Sequence, residues 1–264
     1  MTASLYALGV CALALAADAQ TPASQPRATI PNIAAVVNSA GGQPGIVSGS
    51  WATIYGTGLS NTTRSWNSAD FLNGQLPPQL DYISVRVNGQ SAFVSYVSPT
   101  QLNVLIPDDP SLGTASIQAS GQLLQSNIVY VNKVALQPAL FAFTMRYPAA
   151  VHLDGSYLGL PGILAGVTTT PARPNEVIVL FGTGFGASNP PVPTGYLFAT
   201  PEPMAQVVTA SVGGVPANVA GYLVMPGVYQ FNLTVPNLAD GDAAITIAAA
   251  GLAIPQGSFI SVAR

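Results

Sequence analysis

At 264 residues the chain is long enough for one large domain or two ordinary ones, and 49% hydrophobic residues can supply a substantial core. Only 6% of its residues are charged, against roughly 25% in an average soluble domain, so the surface must rest on Ser, Thr, Asn and Gln. The net charge is −3, and the basic residues Arg27, Arg64, Arg86, Lys133, Arg146, Arg173 and Arg264 form no cluster, which argues against a row of phosphates, and so against nucleic acid, as partner.

The chain begins MTASLYALGVCALALAADAQ. Leu5 to Ala17 is an apolar run of export-signal length, and Ala17-Asp18-Ala19 is an A-x-A cleavage site. The run is shorter than the ~20 residues a membrane-spanning helix needs, and no Lys or Arg precedes it. Residues 1–19 are therefore predicted as a signal peptide and 20–31 as a linker, with a secreted or cell-envelope destination and no membrane span. Leu8-Gly9-Val10-Cys11 departs from a lipoprotein box through the bulky Val10. Cys11 is the only cysteine, so cleavage after Ala19 leaves neither disulfides nor thiolate chemistry.

Beyond the linker the chain repeats itself. Trp51–Ser60 matches Val177–Gly186, Ile83–Ala92 matches Val208–Ala217, Gln101–Pro107 matches Gln230–Pro236, and Ser126–Val131 matches Gly257–Val262. Four blocks in one order, offset by about 125 to 131 positions, indicate two copies of one domain. Ile83, Val85 and Val87 alternate with polar residues, the period of a half-buried strand. Asn88-Gly89 and Gly213-Gly214 then supply the two positive-φ residues of a type I′ hairpin turn. Leu102, Val104 and Ile106 share the parity of Phe231, Leu233 and Val235, and Pro107 and Pro236 end those strands. Val151–Leu158 reads as another hairpin with Asp154-Gly155 at its tip. Short strands and many turns, with 26 glycines and 23 prolines, predict an all-β chain of two tandem sandwiches, at 32–135 and 136–264.

Gly182, Gly184 and Ala187 fit the dinucleotide fingerprint G-x-G-x-x-[G/A]. That loop must open a helix whose N-terminus meets the pyrophosphate. Here it runs into Ser188-Asn189-Pro190-Pro191-Val192-Pro193, which excludes a regular helix. The first copy keeps only Gly56-Thr57-Gly58 and has Asn61 in place of Ala187. The shared G-T-G is read instead as a strand ending in a tight turn that needs positive φ.

A strand closing on G-T-G-[LF], then V-x-G-x-x-[AS], a strand ending in Pro and a Gly-led closing strand pair resemble the IPT/TIG group of immunoglobulin-like domains. More narrowly, V-N-G-Q-S-A-F-V-S-Y-V-S-P-T-Q-L-N-V-L-I-P, P-A-L-F at Pro138–Phe141, I-V-L-F-G-T-G-F-G and P-G-V-Y-Q-F-N-L-T-V-P resemble a tandem module found at the C-termini of exported proteins of soil acidobacteria. The likeness runs from about Asn32 to Val262. It implies an extracellular immunoglobulin-like pair with no assigned activity and no catalytic positions to carry over.

Reactive side chains are few. His152, the only histidine, stands two residues from Asp154, and no G-x-S-x-G elbow accompanies it, so an exposed or half-exposed strand histidine is expected rather than a triad base. One histidine and no mature cysteine cannot build a zinc site. Asp108-Asp109 and Asp240 with Asp242 follow the strand-ending prolines at equivalent places. Such pairs can serve glycoside hydrolysis or ligate calcium, but neither loop has the D-x-D-x-D-G pattern, and Asp in turns more often closes them. Gln101/Asn103 and Gln230/Asn232 recur on the outward parity of one strand, either as a stripe for sugar hydroxyls or as ties to neighbouring loop backbone.

The loops differing most between copies are Asn61–Asp81, with Trp66, Phe71 and the nearby Tyr82, and Ala187–Val208, with Tyr196 and Phe198. Aromatic loops on a rigid scaffold can stack on sugar rings or dock a partner, or they can fill the joint between domains. The sequence thus predicts a non-catalytic exported interaction or structural module of adhesion type, with no cofactor, metal or catalytic residue and with a protein or polysaccharide as partner. The alternative is a carbohydrate-binding module using Trp66, Phe71, Tyr196 and Phe198; a remoter one is an accessory domain of a secreted hydrolase.

Overall fold

The computed structural model describes residues 30–255 and 257–264. The predicted signal peptide and nearly all of the predicted linker lie outside the described residues.

The described chain is all-β. Its first half carries β1 (Asn32–Asn38), β2 (Trp51–Thr57), β3 (Arg64–Ser65), β4 (Gln79–Leu80) and β5 (Ile83–Val87). β6 (Gln90–Ser91), β7 (Phe93–Val97), β8 (Gln101–Leu105), β9 (Gly113–Ser120) and β10 (Val129–Lys133) complete it. The second half opens with β11 (Ala139–Leu140), β12 (Ala150–His152), β13 (Tyr157–Leu158), β14 (Thr169–Thr170), β15 (Val177–Thr183) and β16 (Glu202–Pro203). It continues with β17 (Val208–Val212), β18 (Val215–Ala217), β19 (Val219–Met225), β20 (Val228–Thr234), β21 (Gly241–Ala249), β22 (Leu252–Ala253) and β23 (Phe259–Val262). The turn chemistry is as the residues dictate: Asn88, Gly89, Gly213 and Gly214 all hold positive φ, and β12 pairs with β13 across the Asp154-Gly155 tip.

Four sheets result. The first half has β1-β2-β8-β7-β3 facing β10-β9-β5-β4, with β6 on β5. In the second half, β14-β13-β12-β15-β20-β19-β16, with β11 on β15, faces β18-β17-β21-β22, with β23 on β21. The order β1-β2-β8-β7-β3 is thus answered by β12-β15-β20-β19-β16. Register follows order: Ile54 opposite Leu102 and Tyr55 opposite Gln101 correspond to Leu180 opposite Phe231 and Phe181 opposite Gln230. Val87 opposite Ile117 corresponds to Val212 opposite Ile245.

Each half encloses its own core. Ile54, Leu102 and Val104 from one sheet meet Val85, Val87 and Ile117 from the other, all fully buried. Leu180, Phe231 and Leu233 meet Ile245, Ile247 and Ile260 in the second half. Each such side chain contributes roughly 1.5–3 kcal/mol on burial, and the period-2 alternation read from β5, β8 and β20 is what delivers them.

Backbone pairing corrects the last repeat block. Ile46 bridges Lys133 in parallel, and Ala172 bridges Val262 in the same way. Lys133 lies opposite Gly113 as Val262 lies opposite Gly241. Lys133, not Val131, therefore corresponds to Val262. A slip of two residues keeps every side chain on its face, so hydrophobic alternation alone does not detect it.

The G-T-G element ends its strand at a positive-φ turn, as its sequence reading has it. Only its second glycine needs the left-handed region, with φ 63 at Gly58 and 82 at Gly184. The first glycine sits within the strand, where a Cβ would collide with the carbonyl of Asn32 at Gly56 or of Ala139 at Gly182. Leu59 and Phe185 fold back over these two positions. Beyond Gly184 the chain runs irregularly, without a helix, to Ser188.

Candidate functional site

The two aromatic loops meet each other. Leu76 donates its N–H to Gly195 O at 2.8 Å, Leu197 donates to Gly74 O at 2.7 Å, and Gln75 forms a β-bridge with Tyr196. The first loop is braced by Arg64, whose Nε reaches Asp81 at 2.7 Å and whose Nη atoms reach Asp70 at 2.9 and 3.0 Å. Hydrogen bonding from Arg64 holds the Asp70 carboxyl below its ordinary range; Thr62 first, then Arg64, does the same for Asp81. Asn67 and Asp70 close a capping box around the 3-10 turn Ser68–Asp70.

Beneath the loops the halves are joined by buried groups. Thr183 Oγ1 accepts the Trp51 N–H at 3.0 Å and donates to Gly227 O at 2.7 Å. The Trp51 indole N–H donates to Pro226 O at 3.0 Å. Gly227 lies so close to Leu105 and Trp51, and Gly195 to the Phe93 ring, that neither position has space for a Cβ. Asp108 accepts both the N–H and the hydroxyl of Thr194, at 2.9 and 2.5 Å. Trp51, Leu76 and Leu105 form a third apolar cluster, with Trp66, Phe71, Phe93, Phe141 and Val228 packed on it. Trp66 stands edge-on between Trp51 and Phe71, at centroid distances of 5.5 and 5.2 Å.

Two clefts flank this joint. One, of about 520 Å³, is lined by the aromatic Trp66, Phe71 and Phe141 together with the polar Ser65, Ser95 and Asn103. The other, of about 610 Å³, is bordered by Asp108, Asp109, Phe198 and Tyr229. Tyr229 is almost fully buried and donates to Gly186 O, and burial pushes its phenol well above the ordinary range. Of the four predicted contact residues, Trp66 and Phe71 are half-buried in the joint, Phe198 packs against the second core, and Tyr196 keeps 47% of its surface exposed.

The other candidates are engaged in the fold. His152, half-buried on β12, places Nδ1 2.5 Å from Glu176 and Nε2 3.0 Å from the Thr170 hydroxyl; Asp154 instead accepts from Ser156. Asp109 accepts from the Ser111 hydroxyl and N–H and from the Asn88 amide, which hold its carboxyl far below the usual range. Asp240 accepts the Arg264 N–H, while Asp242 accepts from Arg146 and the Tyr147 hydroxyl. Gln101 and Gln230 donate not to loop backbone but along their own strands, to Asn103 at 2.9 Å and Asn232 at 2.8 Å. Among the described residues no three His, Cys, Asp or Glu side chains gather where a cation could sit, and no helix is long and apolar enough to cross a membrane.

Sequence reasoning passed over Lys133, which is 2% exposed and donates to Ser111 O at 2.7 Å and to Asp109 O, with the Asp109 carboxylate 3.5 Å away. A signal was present: Lys133 shares the inward parity of Val129 and Val131.

No family model matches the chain, and no curated protein matches it. Solved structures similar to it include the plexin A4 extracellular region, at 14% identity over 88% of this chain and 18% of that one, with a TM-score of 0.28. Another is the Bacteroides ovatus mixed-linkage glucan utilization locus protein SGBP-B in complex with a mixed-linkage heptasaccharide, at 12% identity over 83% of this chain and 42% of that one, TM-score 0.36. Domains 5-6 of the S-layer protein SbsC match at 15% identity over 88% of this chain and 98% of that one, TM-score 0.27. The chain spans about a fifth of the length of the plexin chains.

Proposed function

We propose that the chain is a non-catalytic exported interaction module: two tandem immunoglobulin-like sandwiches of IPT/TIG type, at 32–135 and 136–264, fastened to each other through their loops. The recurrence of strand order and register supports the duplication. The apolar run with its Ala17-Asp18-Ala19 site supports a secreted or envelope destination. One observation carries the non-catalytic reading. His152, Asp108, Asp109, Asp240 and Asp242 each close a hydrogen bond or ion pair inside the fold. A general acid or base must instead reach a proton on the substrate. The partner is a protein or polysaccharide of the cell surface.

Purified chain assayed on ester, peptide and glycoside substrates is expected to show no turnover above buffer. Turnover that disappears in His152→Gln or in Asp108→Asn with Asp109→Asn would reject the proposal. A second reading, a carbohydrate-binding module working through the aromatic loops, is favoured by the cleft beside Trp66 and Phe71, which carries no ionisable acid or base of the Asp, Glu, Lys, Arg or His type.

A further inference from the structure

We infer that the cleft beside Trp66 is a binding site for an uncharged oligosaccharide. This rests on the carbohydrate reading above and gives it a place and a ligand class. The volume of about 520 Å³ falls within the roughly 300–1,000 Å³ of small-ligand sites. With no Asp, Glu, Lys, Arg or His on its walls, a uronate, sulfate or phosphate would lose its hydration there and gain no counter-charge.

A pyranose is amphipathic, with C–H groups on its faces and hydroxyls around its rim. The cleft has both complements. Trp66, Phe71 and Phe141 provide the apolar complement. Of the polar lining residues, Asn103 Oδ1 already accepts from Gln101 at 2.9 Å and Thr53 at 3.2 Å, and its Nδ2 has no partner among the described residues. Ser95 uses its hydroxyl hydrogen on Asn103 O at 3.2 Å and keeps lone pairs to accept a sugar hydroxyl. Ser65 lies beside them on β3, exposed, opposite Tyr96. Asn103 and Ser65 are thus set on strands that flank β7, at fixed spacing. The second half keeps the Gln230–Asn232 pair but has Val179 opposite Asn232, where the first half has Thr53 opposite Asn103. The same strand therefore makes a sugar-facing surface in one half only.

The test is titration calorimetry of the full chain with neutral gluco-, xylo- and manno-hexaoses, and with an oligogalacturonate as the charged arm. At least one neutral hexaose is expected to bind and the galacturonate to fail. Ser65→Trp, which fills the cleft from an exposed strand position, should weaken binding about tenfold or more with its thermal midpoint unchanged. Asn103→Leu, which removes the amide at similar volume, should weaken it about tenfold. Binding of no neutral hexaose, equal binding of the galacturonate, preference for peptides over glycans, or binding that survives Ser65→Trp would each overturn the site. If no hexaose binds while labelled chain still decorates intact bacterial cells, the cleft proposal fails and the interaction-module reading stands. If hexaose binding survives Ser65→Trp, the carbohydrate reading stands and only its location fails.

Discussion

The two Gly-Thr-Gly turns share a sequence and a backbone path but have opposite fates. Thr57 points into solvent, whereas Thr183 is completely buried, bonded on one side to Trp51 of the first half and on the other to Gly227. The closing strands diverge in the same manner. Lys133 and Val262 occupy equivalent places, yet one is a buried ammonium and the other an apolar core residue. What surrounds them explains the difference. Asp109 stands against the Asn88 turn and faces Lys133, while Leu238 stands against the equivalent Gly213 turn. The two halves thus keep the same ladders while the side chains at equivalent places differ. In the first half Lys133 fixes the loop that carries Asp108, the residue that holds Thr194 across the joint.

Exchanging the divergent residues tests that comparison. The largest effect is expected from Val262→Lys, which puts an ammonium among the buried apolar side chains of the second core. It should cost about 4 kcal/mol or more in urea unfolding. Lys133→Val should cost about 3 kcal/mol by the same measurement, because the carbonyls of Asp109 and Ser111 lose their donor. Thr183→Val should cost about 2 kcal/mol, leaving the Trp51 N–H and the Gly227 carbonyl without partners. Thr57→Val, its equivalent, should stay within about 0.5 kcal/mol.

The gentlest perturbation is pH. The folded Asp109 carboxyl lies below its unfolded value, so its contribution is complete above the ordinary Asp value of about 3.9 and is lost as pH falls towards the folded value. Thermal midpoints should therefore drop below about pH 4, and Asp109→Asn should flatten that slope. A slope unchanged in Asp109→Asn would assign the loss to Asp70 and Asp81, whose carboxyls are held low by the same kind of bond.

The ladders were legible because alternation and turn residues are local. Ile83, Val85 and Val87 are buried as their spacing requires, and β8 and β20 stop just before Pro107 and Pro236. The joint was not legible. Thr57 and Thr183 stand in identical motifs, and only the residues brought beside them in space make one buried. The aromatic loops stood out in the sequence, but sequence cannot say that Gln75 and Tyr196 would zip together. Of the cleft, Trp66, Phe71 and Asn103 were visible beforehand. Phe141, Ser65 and Ser95 were not, since nothing in the sequence says that their segments come together beside Trp66.

The two halves are held as one unit by Thr183, Trp51 and the paired loops. Differential scanning calorimetry of the purified protein tests this most directly. A single transition, with calorimetric and van't Hoff enthalpies equal, is predicted, and Thr183→Val should separate it into two. Two independent transitions in the unaltered protein would contradict it.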